Sequence, residues 1–259
     1  MKDVITENYQ LMFGDCLERM KEIPSGSVDL ILTDPPYGLV SCEWDSVIDF
    51  TLMWEQLNRI IKKNGAIVLF GAEPFSSALR MSNIKQYKYD WVWEKTRPSN
   101  PMLSKYRPLS YHENILVFYS KQPCYNPQKT VGKVNNGQGT KTRKSTSLSN
   151  GVRENYVNDL NTNLKFPKSV LKFDRGGIQQ HPTQKPVALL EYLIKTYTQE
   201  GETVLDFTAG SGTTAIACLN TNRQFIVMEK EQKYYDIILK RVGDFNKNFE
   251  QKTLFVNEI

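Results

Sequence analysis

A chain of 259 residues with 40% hydrophobic side chains can bury one sizeable core and lies near the upper end of a single domain, so one main domain carrying an insertion is expected. Four scattered cysteines (Cys16, Cys42, Cys124, Cys218) with no CxxC pair, and only His112 and His181 beside them, argue against a metal site and a disulfide framework. The polar start and the absence of any apolar run near the roughly 20 residues of a membrane span argue for a cytoplasmic protein. The net charge of +5 is unevenly placed: residues 121–180 hold eleven Lys and Arg against three acids, or +8, which leaves −3 for the remainder, the pattern of a polyanion-binding insertion or of a solvated loop.

In chain order, apolar runs bounded by turn residues predict a strand at 9–13 and a second at 28–33, followed by helical periodicity over 50–61. Further strands are expected at 66–70, 89–93 and 114–119. From 121 to 180 the pattern fails in favour of Asn, Lys, Thr, Ser, Gly and Gln, a stretch too long for an ordinary loop. Alternation then resumes with a helix at 186–197, a strand at 203–207, a helix at 213–220, a strand at 225–228 and a helix at 231–242. Seven strands alternating with helices predict an α/β fold with a mostly parallel sheet, in which ligands sit beyond the carboxyl ends of the strands.

Two motifs stand at such strand ends. Asp34-Pro35-Pro36-Tyr37 follows the second strand. An exocyclic base amine is a poor nucleophile, because its lone pair is delocalised into the ring. A carboxylate and a backbone carbonyl that each accept one N–H draw that nitrogen toward a tetrahedral shape, and Asp34 and the Pro35 carbonyl suit those roles. Pro36 and Pro35 fix the backbone, and Tyr37 offers a face for an extruded base, worth roughly 1–3 kcal/mol of stacking. The bland alternative is a Pro-rich turn. Asp206-Phe207-Thr208-Ala209-Gly210-Ser211-Gly212-Thr213-Thr214 follows the strand at 203–207; Gly210, Gly212 and Ala215 make a GxGxxA pattern, and Glu229 ends the next strand, placed for ribose hydroxyls. Alone this pattern also suits a nicotinamide or flavin site or a bare tight turn. Asp206 suits a cationic amino group better than a pyrophosphate.

With both motifs in view, the chain resembles the amino-methyltransferases of DNA, in the beta order where the DPPY motif precedes the glycine motif, over about 200 residues. Gly14-Asp15-Cys16 is similar to the family's adenine-contacting segment, and His181-Pro182-Thr183-Gln184-Lys185-Pro186 to its motif at the methionine end of the cofactor. Trp44-Asp45, the run from Trp93 to Pro98 and His112-Glu113 follow the family's style; Phe207 stands where the family often has Pro.

The resemblance implies a Rossmann-like methyltransferase sheet with circularly permuted motif order. It divides the chain into a catalytic part (1–120), an inserted target-recognition region (121–180) and a cofactor part (181–259). It implies S-adenosylmethionine as cofactor, held by Asp15, Cys16, Asp34, His181, Thr183, Lys185, Asp206, Phe207, Ala209, Gly210, Ser211, Gly212, Thr213, Glu229 and Lys230. Double-stranded DNA is the expected partner, contacted by Lys95, Arg97, Lys105, Arg107, Lys141, Arg143 and Lys144; a homodimer and a cognate restriction endonuclease stay open.

Adenine N6 is the favoured target, since N4-cytosine enzymes usually show Ser at the position of Asp34, and RNA and protein amino-methyltransferases commonly show Asn. Pro123-Cys124 and Glu113-Asn114-Ile115 mimic motifs of cytosine carbon-5 methyltransferases, but in the wrong order. A nicotinamide-dependent oxidoreductase leaves the DPPY strand end without purpose, and a non-catalytic DNA-binding module leaves both motifs so.

Overall fold

The computed structural model describes residues 2–38, 45–133, 163–174 and 184–256. It divides into two compact units, Met1–Asn126 with Ser169–Ile259, and Pro127–Lys168. In chain order the elements are β1 (Val4–Ile5), β2 (Tyr9–Phe13), α1 (Cys16–Arg19), β3 (Val28–Thr33), α2 (Phe50–Ile60), β4 (Ile61–Gly71), α3 (Phe75–Ser82), β5 (Tyr87–Ser99), β6 (Ser110–Phe118), β7 (Thr130–Val131), β8 (Leu164–Lys165), β9 (Val170–Lys172), α4 (Val187–Tyr197), β10 (Thr203–Asp206), α5 (Thr213–Asn220), β11 (Gln224–Glu229) and α6 (Gln232–Val256). The smaller unit holds the antiparallel pair β7–β8, where Lys129 Nζ lies 4.7 Å from the centre of the Phe166 ring.

All other strands form one sheet in the order β1-β2-β11-β10-β3-β4-β6-β5-β9. From β2 to β4 it is parallel, and β6 runs antiparallel to both neighbours. The seven expected strands are present, and short β1 and β9 extend the two edges. Side-chain alternation gives the central strands β3, β4, β10 and β11 two buried faces. Leu30, Leu32, Val204 and Val227 pack with Leu189 and Leu193 of α4, Ala215 of α5 and Ile238 of α6. Ile31, Leu205, Ile226 and Met228 pack with Met53 and Leu57 of α2 and with Phe75 and Leu79 of α3. Burial on both faces is why these strands read as continuous apolar runs, each such side chain contributing about 1.5–3 kcal/mol.

β3 leads through α2 to β4 on one side, while β10 leads through α5 to β11 on the other, so the order reverses between the adjacent strands β10 and β3. That switch point opens the crevice where ligands of such sheets bind. It is also why the two motifs, 172 residues apart from Asp34 to Asp206, end side by side.

Several boundaries differ from the sequence expectation: β5 runs from Tyr87 to Ser99 and β6 starts at Ser110, beyond the expected 89–93 and 114–119. β4 begins at Ile61 because Val28 pairs with Ile61 and the Lys62 ammonium meets the Asp29 carboxylate at 2.7 Å, so a polar stretch is held in the ladder. In the main sheet, the strands that stop near residue 121 resume at β9, parallel to β5, where Leu171 is buried between exposed Val170 and Lys172. α6 continues through Gly243 to Val256. Among the described residues no helix is long and apolar enough to cross a membrane.

Candidate active site

β3 delivers Asp34-Pro35-Pro36-Tyr37 to the switch point, and the prolines withhold the amides that would prolong the ladder. Asp45 then fixes the turn, because its Oδ1 accepts from the Tyr37 and Gly38 amides at 2.8 and 3.0 Å. The Thr208 hydroxyl donates to the Asp34 backbone carbonyl at 3.0 Å and so ties the two motifs together. The Asp34 carboxylate, with 24% of its side-chain surface exposed, is held on both oxygens: Oδ1 accepts from the Tyr37 hydroxyl at 2.5 Å and Oδ2 from Lys185 Nζ. Burial pushes its pKa up, against the pull of the Lys185 ammonium. The Tyr37 ring stacks on Phe75, centroids 5.0 Å apart, and burial and the neighbouring carboxylates keep its hydroxyl protonated.

At the end of β10, Asp206 is buried and accepts from Thr33 Oγ1 at 3.1 Å, Thr214 Oγ1 at 2.5 Å and the Thr208 amide at 3.1 Å. Among the described residues no ion pair neutralises it, and burial raises its pKa to about 6. Glu229, at the end of β11, accepts from the Gly210 and Glu231 amides, both at 2.8 Å, and burial raises its pKa to about 7. The Gly14 amide donates to the Glu229 carbonyl at 3.0 Å, which brings Gly14-Asp15-Cys16 to the same rim. There Asp15 caps α1 through the Leu17 amide at 2.9 Å, and burial pushes the Cys16 thiol up to about 12.

These groups line a cavity of about 340 Å³, within the range of small-ligand sites. On its wall stand Asp34, Pro35, Pro36 and Tyr37, and with them Asp15, Cys16, Lys185, Asp206, Phe207, Ala209, Gly210, Ser211, Thr213, Glu229 and Lys230. Gly212 is not on the wall. Its φ of +76° starts α5, and a Cβ there would meet Ile238 at 2.9 Å, so it serves the turn and the helix packing. His181, Thr183, Lys141, Arg143 and Lys144 lie outside the described residues.

Lys95 does not stand on the surface with Arg97, Lys105 and Arg107, which are exposed; only 2% of its side chain is exposed, and it pairs with Glu113 at 3.2 Å. Sequence reasoning gave no role to Thr33, Asp45, Glu113, Thr208 or Thr214. Asp45 and Glu113 belong to segments that carry the family resemblance, and Thr208 and Thr214 to the glycine motif itself, which is the available signal.

A buried carboxylate with no ion pair among the described residues, a second able to accept hydroxyls, and a third beside an aromatic ring suit an ammonium, a ribose and a base amine in turn. Residues 28–240 match a family of N6 and N4 methyltransferases described as DNA methylase. Over 92% of its length the chain is 30% identical to the Type II methyltransferase M.HinfI of Haemophilus influenzae, spanning 69% of that protein. It is 28% identical to the Type II methyltransferase M.HpaI of Haemophilus parainfluenzae, spanning 92% of this chain and 75% of the relative.

Among solved structures it is similar to the M1.HpyAVI–SAM complex, with a TM-score of 0.62 and 25% identity over 90% of this chain and 98% of that one. It also shares its fold with PvuII DNA methyltransferase (cytosine-N4-specific), with a TM-score of 0.65 at 19% identity over 90% of this chain and 86% of that one. The chain belongs to the amino-methyltransferases of DNA, and its cofactor is S-adenosylmethionine.

Proposed function

We propose that the chain methylates adenine N6 at specific sites in double-stranded DNA, on a base flipped out of the helix into this cavity. The observation that carries the reading is the Asp34 carboxylate at the end of β3, opening onto the cavity beside the Tyr37 ring. When bound, S-adenosylmethionine supplies an activated methyl on a sulfonium. Asp34 and the Pro35 carbonyl accept the two N–H groups of the amine and direct its lone pair toward that methyl. Tyr37 supports the base by stacking, which offsets part of the cost of unstacking it, a few kcal/mol. Asp206 receives the methionine ammonium, Glu229 the ribose hydroxyls, and the segment at Asp15 and Cys16 the adenine of the cofactor. Positioning then supplies most of the catalysis.

In this reading residues 1–120 carry the chemistry, 181–259 hold the cofactor and 121–180 select the DNA site. Arg97, Lys105 and Arg107, with Lys141, Arg143 and Lys144, meet phosphates. Mapping modified bases in DNA from cells that produce the chain tests it: N6-methyladenine at one sequence context is the expected result, and N4-methylcytosine in its place overturns the adenine assignment.

A further inference from the structure

The Lys185 ammonium that grips Asp34 is itself held from behind. Its Nζ lies 3.2 Å from Glu113 Oε2, and Glu113 Oε1 lies 3.2 Å from Lys95 Nζ, which donates in turn to Ser99 Oγ at 2.6 Å. Lys95, Glu113, Lys185 and Asp34 thus form a line of alternating charges, with side-chain exposures of 2, 10, 7 and 24%. They come from β5, β6, the segment ahead of α4 and the end of β3. Removing such groups from water costs several kcal/mol per ion, and replacing ion pairs of this kind by apolar packing is often neutral or stabilising, so structure alone gives little reason for the line. Its open end is the carboxylate that faces the cavity.

We infer that Glu113 is a positioning residue for methyl transfer: through Lys185 it fixes the orientation and the charge state of Asp34. This rests on the reading of Asp34 as the amine acceptor. Glu113 Oε2 makes an ion-pair contact with the Lys185 ammonium rather than a hydrogen bond, so its hold is electrostatic: it keeps the ammonium between the two carboxylates and against Oδ2 of Asp34, whose remaining lone pairs face the cavity. By sharing that ammonium, Glu113 also limits how far Lys185 can neutralise Asp34. Among the described residues, the charged and titratable groups facing Asp34 are Lys185, Tyr37, Glu113 and Asp206, and those facing Glu113 are Lys185, Lys95, Asp34 and Tyr37. The two lysine ammoniums hold the Glu113 carboxyl below its ordinary value, so it stays ionised through the neutral range.

Glu113→Gln keeps the shape and removes the charge. The expected result, with DNA and S-adenosylmethionine both saturating, is a kcat lower by about 10- to 100-fold, the scale of a misplaced reacting group. The acid limb of the kcat profile moves to lower pH, because Asp34 loses a like charge and keeps its cation. Cofactor affinity by calorimetry changes less than about twofold, because the missing charge bears on the transition state. An unchanged kcat, a fall in kcat with an unmoved acid limb, or a loss of cofactor affinity in step with activity overturns the inference. Should the single variant fail to fold, Lys95→Met with Glu113→Gln removes both charges together, and the same three outcomes decide. Asp34→Ala in the same assay separates the two readings: if it stays active, the amine-acceptor role fails; if it is inactive while Glu113→Gln matches the parent, only the role of Glu113 fails.

Discussion

On the proposed reading Asp34 meets its substrate already engaged, with Tyr37 on one oxygen and Lys185 on the other. An ionised carboxylate offers about four acceptor positions, so the amine can bind without displacing either partner. Asp34→Ala is expected to cut turnover by orders of magnitude while cofactor affinity, measured by calorimetry, changes little. Tyr37→Phe keeps the ring on Phe75 but frees Oδ1, whereas Tyr37→Ala removes both the ring and the hydroxyl; the expected order of kcat is parent, then Phe, then Ala. Equal damage in the two variants would mean that the hydroxyl matters and the stacking face does not.

Asp206 and Glu229 add a pH signature. Their pKa values, raised by burial to about 6 and about 7, exceed ordinary carboxyl values, so the folded ligand-free protein binds more protons than the unfolded chain between about pH 4 and 7. Their ionisation therefore costs stability as pH rises through that window. Cofactor binding has the opposite sign, since an ammonium and hydroxyls need the ionised carboxylates as acceptors. The rise in melting temperature produced by a fixed S-adenosylmethionine concentration is expected to shrink as pH falls from about 8 to about 5. A shift independent of pH would remove both carboxylates from the binding site.

Among the elements, the seam between β3 and β10 holds the two motifs in register. Thr33 accepts from the Phe207 amide at 3.2 Å and donates to Asp206 at 3.1 Å, from a position 1% exposed. Thr33→Val keeps the volume and leaves both partners without that bond, an expected loss of about 1–3 kcal/mol in urea unfolding together with weaker cofactor binding. A variant as stable as the parent would show that the seam tolerates the missing bonds.

The seven long strands and the motifs at their ends were legible because each is continuous in sequence and its apolar run has no other use. β9 was not, since three residues carry no readable period, and neither was the start of β4, whose polar Lys62 is held by Asp29 from a neighbouring strand. The Glu113 line was hidden for the same reason. Lys95 and Glu113 are 18 positions apart and meet only through the antiparallel pairing of β5 with β6, while Lys185 reaches Asp34 across 151. Sequence alone sets Lys95 among surface cations because a charge count cannot tell which lysine faces inward.

For the whole molecule, sheet direction decides which connections share the edge that carries Asp34. β4 runs with β3 and β6 runs against β4, so β6 begins at the edge where β3 ends, and β5, antiparallel to β6, finishes there. The connection between β5 and β6 therefore emerges on the edge that carries Asp34. The end of β5 carries exposed Arg97 and the connection carries exposed Lys105 and Arg107, with Met102 and Tyr106 exposed by 91% and 84% among them. Cations interleaved with an exposed aromatic are the makings of a nucleic-acid surface, on a part of the chain that is otherwise net acidic.

Replacing Arg97, Lys105 and Arg107 together by Gln is expected to weaken binding to every DNA sequence and to flatten the slope of log affinity against log salt by roughly 0.9 for each phosphate that is no longer neutralised. Cofactor affinity should hold, because none of the three lines the cavity. The same titration on a triple variant of Lys141, Arg143 and Lys144 apportions the charge between this loop and the basic insertion. A slope equal to the parent's in the first variant, with a flattened one in the second, would move the phosphate binding into residues 121–180 and leave the loop to the flipped base and its neighbours.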